Sequence, residues 1–302
     1  MKKILIFGPA RTAETLTVPA VGSATEGTSY ETILAGEGET AAVTVARLGG
    51  RSIFAGRVGD DSGGKRLVRL LDTAGVDLSC FRVDRGAQTG HSVREVDGAV
   101  GERTIRFPGA NARLSEEEVR ASLLTAPDAV MLLGDLPAPI LVRAAELSAE
   151  REIPLFYLYI RGATLCEGLP PLEFFMTDEA AAEELTGIRP TGTDSCLQAA
   201  IALGKRFTAR YFIIRLGERG AFVYDGTYCY VVNSFILPTA DIRGTAEVFF
   251  ATTVHEYMRD PAEILAALRY AAAAAALAGT QAGESVSPPT ADEILTFLDR
   301  NG

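Results

Sequence analysis

From residue 109 onward the chain alternates short apolar runs of strand length with amphipathic stretches of helix length, joined by a few polar residues. The runs at 129–133, 154–157, 174–176 and 211–215 lack the polar alternation of a half-exposed strand, so they read as strands covered on both faces. Ser115 caps an intervening helix, with Glu118 three residues later completing a capping box. Further helices are expected over 139–149, 178–186 and 194–207, a hairpin-like segment over 221–232, and closing helices over 245–258, 261–278 and 291–298. Strands separated by helices run parallel, because the return path is a crossover, and right-handed crossovers place helices on both faces. The fold class is therefore α/β, with a doubly wound, mostly parallel sheet. Strands at 3–7 and 52–55 and helices at 40–48 and 63–74 complete a single domain over residues 1–302. The alanine run 271–276 lies inside a periodic helix and reads as a closely packed helix rather than low complexity.

Two early segments, about 12–37 and 88–107, depart from that rhythm. Both are polar, glycine-containing and strand-like, and the second alternates like a hairpin over 91–96 and 103–107 around Asp97-Gly98. Together they suit a small sheet standing apart from the core as a lid over a ligand cleft. The alternative is two unrelated surface hairpins.

Charge narrows the partners. With 29 basic and 39 acidic residues the chain carries a net charge of −10, which disfavours broad contact with nucleic acid or an anionic membrane. The opening MKKILIFG reads as a buried first strand rather than a leader, and no run reaches membrane-span length. A cytoplasmic protein acting on a small molecule is expected. Cys80, Cys166, Cys196 and Cys229 are too scattered for a disulfide scaffold or a zinc site. His91 falls in the proposed lid and His255 in a helix, and no nucleophile–base arrangement favours a hydrolase.

The segment with the most chemistry is Asp241-Ile242-Arg243-Gly244-Thr245-Ala246-Glu247, followed at once by a helix. Small residues at a helix start leave backbone N–H groups free to face an anion. A carboxylate there can take the proton of a hydroxyl attacking phosphorus, while those N–H groups hold the developing phosphoryl charge. The plain alternative is an ordinary cap, with Glu247 complementing the helix dipole.

This segment does not stand alone. Gly36-x-Gly38, Ala46-Arg47-Leu48-Gly49-Gly50 and Gly56-Arg57-Val58-Gly59-Asp60-Asp61-Ser62-Gly63-Gly64 precede it. Ala74-Gly75-Val76-Asp77, Pro108-Gly109-Ala110-Asn111-Ala112-Arg113-Leu114, residues 183–187 and Leu216-Gly217-Glu218-Arg219-Gly220-Ala221 follow in order, with Gly283 and residues 287–290 near the end. In this series the chain resembles the ribokinase-like (PfkB) sugar kinases over nearly its whole length. The resemblance implies a kinase dependent on ATP and Mg²⁺, with a monovalent cation as a further candidate, and phosphorylation of a hydroxyl under a β-lid. It also implies a homodimer clasped through the lids. By position, Glu247 becomes the base, Gly244, Thr245 and Ala246 with Glu247 the anion hole, and Arg243 its neighbour. Arg11, Gly36, Gly38, Thr40 and Arg161 fall on the substrate side, and Asp178, Arg215, Gly217 and Gly220 on the nucleotide side. Metal ligands are left unassigned.

The chain departs from the family where recognition is made. The signature D-T-x-G-A-G-D reads here with Ala246 for the second glycine and Glu247 for the final aspartate. The extra methylene moves the carboxylate by roughly 1 Å, an error worth on the order of 10²-fold in rate. The Cβ of Ala246 makes a positive φ costly there. The sugar-binding asparagine falls on Thr40, the first-strand N-x-D pair on Arg11 and Ala13, and the N-x-x-E pair on Asp178 and Ala181. A threonine ahead of the Leu-Gly of the nucleotide loop becomes Arg215. Three arginines on cleft positions, Arg11, Arg215 and Arg243, with Arg161 beside them, suit an anionic ligand. The alternative pairs Arg243 with Glu247 four residues on. Two functions follow: an active kinase with Glu247 as base, or a catalytically impaired relative binding a small anionic ligand in a regulatory role.

Overall fold

The computed structural model describes residues 1–18, 27, 29–34, 36–97, 101–281 and 286–301. Gly98 and Gly283 lie outside these residues. The chain opens with β1 (Lys3–Phe7), β2 (Arg11–Val18), β3 (Ser29–Leu34), α1 (Glu37–Arg47), β4 (Arg51–Ala55), β5 (Arg57–Gly59), α2 (Ser62–Thr73) and β6 (Arg82–Asp84). It continues with β7 (Gly90–Asp97), β8 (Gly101–Phe107), α3 (Glu116–Leu123), β9 (Ala129–Leu133), α4 (Ala138–Ala149), β10 (Leu155–Leu158), β11 (Leu172–Asp178), α5 (Glu179–Thr186) and α6 (Thr193–Leu203). It ends with β12 (Ala209–Arg215), β13 (Ala221–Tyr224), β14 (Cys229–Val232), α7 (Thr245–Arg259), α8 (Ile264–Gly279) and α9 (Ala291–Asn301).

Eight strands form the main sheet in the order β14-β13-β12-β11-β10-β9-β1-β4. Every neighbouring pair from β4 to β12 is parallel, and β13 and β14 add an antiparallel edge. Successive residues of the central strands point to opposite faces, which is why uninterrupted apolar runs were needed. Ile6, Met131, Phe156, Phe174 and Ile213 pack with Ala41 of α1, Leu67 of α2, Phe250 of α7 and Leu268 of α8. Leu5, Val130, Tyr157, Phe175 and Ile214 pack with Val119 of α3, Leu141 of α4, Ala181 of α5 and Cys196 of α6. The alanine run is buried from Ala271 through Ala275, with Ala271, Ala272 and Ala275 in the same core as α7. Small side chains there let two helices approach closely.

Residues of both early segments pair in one four-stranded sheet, β3-β2-β7-β8. Its inner pair, β2 and β7, is parallel, and both outer pairs are antiparallel. The start of α1 differs from expectation: the helix begins at Glu37 rather than at residue 40, with Gly36 as its N-cap. The Glu39 carboxylate folds back to accept from the Gly36 N–H at 2.5 Å, the half of a capping box that a glycine N-cap can still take part in. The helices placed over 194–207 and 261–278, by contrast, are shorter, ending at Leu203 and starting at Ile264.

Candidate active site

A doubly wound sheet presents its ligand crevice at the carboxyl ends of the strands, and the candidate residues collect there. Arg11 follows β1, Asp135 follows β9, Arg161 follows β10, Asp178 ends β11 and Arg215 ends β12. A cleft of about 400 Å³ opens between this rim and the four-stranded sheet. Gly36, Thr40, Arg161, Asp178, Arg243, Gly244, Ala246 and Glu247 line it from the core, with Ser92, Arg94, Thr104 and Arg106 from β7 and β8. A second cleft, of about 350 Å³, runs from Arg215, Gly217 and Gly220 past Thr245 to Ala272 and Gly279. The two meet at the N-terminus of α7.

That N-terminus is built as its sequence suggested, with one change. Gly244 is the N-cap and the residue with left-handed φ, 72°, the conformation glycine adopts without penalty. Ala246 lies inside the helix, so its Cβ brings no backbone strain and the expected cost of the missing glycine does not arise. Glu247 is 8% exposed and carries no side-chain hydrogen bond or ion pair to another described residue. Burial and the neighbouring Glu37 carboxylate push its pKa up to about 7, while Arg215 and Arg11 pull the other way. A carboxylate near neutrality is suited to accept a proton in water at ordinary pH.

Arg243 does not pair with Glu247. Its Nε lies 2.8 Å and 2.7 Å from the two Asp241 oxygens, its Nη2 also bonds Asp241, and the same Nη2 reaches Glu31 of β3 at 2.9 Å. Arg11 is spent internally as well. It is 5% exposed, and its Nη2 lies 2.6 Å from Glu37 and 2.6 Å from Asp135. Asp135 in turn meets Arg106 of β8 at 3.1 Å. Two of the three arginines read as anion ligands are therefore neutralised by carboxylates. Arg161 is exposed at the rim, with no partner among the described residues.

Other expectations change too. Thr40 is 4% exposed yet reaches the cleft. Gly38 does not line it: a Cβ there would meet the Pro9 carbonyl oxygen at 2.7 Å, and its N–H donates to that oxygen at 3.1 Å. Gly38 thus seats α1 against the end of β1. Glu37, Asp135 and Arg106 were missed. A carboxylate two residues past a buried strand, as Asp135 is, was the available signal.

Among the described residues no group of three or more His, Cys, Asp or Glu could hold a metal. One Asp178 oxygen is engaged by the Ala181 N–H at 2.8 Å as the cap of α5, and Ala181 supplies no side-chain donor. These residues do not fit a magnesium ion held by the protein.

A mostly parallel sheet with a cleft under a separate small sheet and a carboxylate at a helix N-terminus defines a ribokinase-like α/β protein. It superposes on the Arabidopsis thaliana ribokinase complexed with ribose and ATP with a TM-score of 0.84, at 21% identity over 98% of each chain. The model of the pfkB family carbohydrate kinases matches residues 1–291, and the chain belongs to that family. It is 26% identical to a Haemophilus influenzae ribokinase over 99% of both chains, and 26% identical to fructokinase-1 of Zea mays over 86% of both.

Proposed function

We propose that the protein is an ATP-dependent kinase that phosphorylates a hydroxyl of a small sugar or related polyol, with Glu247 as general base. One observation carries this reading: a buried carboxylate of near-neutral pKa at the glycine-capped N-terminus of α7, where the two clefts meet. The substrate hydroxyl would sit in the 400 Å³ cleft against Glu247. The nucleotide would lie along Gly217, Gly220 and the small residues of α8, whose alanines leave a shallow apolar floor. The free N–H groups of the first turn of α7 would hold the phosphoryl oxygens as charge develops.

An uncharged, hydroxyl-rich substrate is favoured over an anionic one. Arg11, Arg106 and Arg243 each face carboxylates within the protein, and Thr40, Ser92 and Thr104 offer hydroxyls to the cleft. The Glu31–Arg243 and Arg106–Asp135 pairs tie the small sheet to the rim, consistent with its serving as a lid. Calorimetric titration with Mg·ATP and with ADP, followed by a turnover screen of pentoses, hexoses and nucleosides, tests the proposal. Micromolar nucleotide binding and ADP release with one of these alcohols are expected. Absence of binding by either nucleotide overturns the kinase reading in favour of a regulatory binding protein.

A further inference from the structure

We propose that the Arg215 guanidinium holds the phosphoryl group in transit, supplying from the protein the positive charge that its residues are not arranged to hold as a metal. The inference rests on the kinase reading above.

Arg215 ends β12 in register with Asp178 of β11, so the side chain starts at the rim of the crevice. It lines both the cleft that carries Gly217 and Gly220 and the narrow space beneath Ala246. It also borders a third cavity with Arg161 and Asp178. A guanidinium has five N–H donors. Among the described residues only one contact uses them, from Nη2 to Thr245 Oγ1 at 2.8 Å. Thr245 is the first residue of α7, two before Glu247.

Arg11 and Arg243 in this region are met by carboxylates at 3 Å or less. Arg215 is not, although Asp178 is its registered neighbour and Glu247 is close enough to act on its charge. Burial disfavours its charged form, with Glu247 and Asp178 opposing from a distance. Arg215 is nonetheless only half-buried, and none of its nitrogens is a fully buried atom without a partner, so its unused donors open onto the clefts. Such a group becomes satisfied when an anion occupies the junction, and phosphate oxygens match the guanidinium fork. The same charge repels a divalent cation from the space between Asp178 and Glu247. It also lies on the α7 side, beside the N–H groups that would share the phosphoryl oxygens. In phosphoryl transfer an arginine so placed is worth about 10³–10⁵ in turnover.

The test measures ATP and adenosine binding by calorimetry, in EDTA and in excess magnesium, for the wild type, Arg215→Lys and Arg215→Ala. The wild type is expected to bind ATP in EDTA, and Arg215→Ala to lose about 10- to 100-fold of that affinity, the worth of hydrogen bonds to a charged group. Arg215→Lys should fall between them, since it keeps the charge and loses the fork. Adenosine, which has no phosphate, should bind all three alike, which shows that the pocket remains folded. Wild-type ATP binding only with magnesium, or equal ATP affinities for wild type and Arg215→Ala in EDTA, overturns the role of Arg215 and leaves the kinase reading standing. No binding of ATP to the wild type under either condition overturns both.

Discussion

Replacing Glu247 with glutamine should make the protein more stable and far less active, and the two effects have the same origin. The carboxylate is buried, and its pKa rises from an ordinary 4.5 to about 7, first through burial and then through Glu37. A raised carboxylate pKa means that the folded state binds the proton more tightly than the unfolded chain. Stability is therefore intact below pH 4.5 and falls as pH rises toward 7. At roughly 1.4 kcal/mol per tenfold change in proton affinity, the penalty is about 1 kcal/mol at pH 5 and about 3 kcal/mol above pH 7. Glutamine has nearly the same shape and no charge to desolvate. The stability gap between Glu247→Gln and the wild type, from urea unfolding, should widen in favour of the variant by about 2 kcal/mol between pH 5 and pH 8. Glu39, whose pKa burial pushes up to about 8, is present in both proteins and cancels to first order. Loss of the base should lower turnover by about 10²–10⁴-fold, and wild-type kcat/KM should climb with pH to a plateau above about 7 as Glu247 ionises. A variant less stable than the wild type at pH 8, or a gap that does not change with pH, refutes the burial argument. Turnover within tenfold of the wild type refutes the base assignment.

Arg11→Ala should destabilise rather than merely weaken ligand binding. It strips the shared cation from Glu37 and Asp135, and breaking a buried pair costs about 3–5 kcal/mol, read as a lowered urea midpoint. Gly220→Ala should lose more than about 1 kcal/mol of stability together with ATP affinity by calorimetry. Its φ is 93°, and a Cβ would lie 1.9 Å from the Val232 carbonyl oxygen.

Much of the architecture was legible along the chain, because strands and helices announce themselves through local periodicity. The strand at Ala129–Leu133 has the bounds its apolar run implied, and the Ser115–Glu118 capping box is formed by residues three apart. The glycine-rich loops and the segment 241–247 likewise identified the family, since turns and helix starts require particular residues at fixed spacing. Local reading faltered where a distant group intervenes. The helix α1 starts at Glu37, ahead of the expected residue 40, with the Gly36 N–H held by the Glu39 carboxylate, a contact that appears only once the chain has turned.

The charges of the site belong to the tertiary structure. Arg11 looked available to a ligand, but Asp135, 124 residues away, lies 2.6 Å from its guanidinium. Arg243 sits four residues from Glu247, a spacing that allows a pair within a helix, yet Gly244 turns the backbone between them and Asp241 and Glu31 take the arginine instead. Glu247 acquires its raised pKa from burial and from Glu37 on α1, neither of which its own segment encodes. The sequence determined the elements, the family and the residues available for chemistry, because those depend on neighbours along the chain. Only the folded structure decided which of those residues are spent on one another and which remain for a ligand, because electrostatic pairing and desolvation act through space.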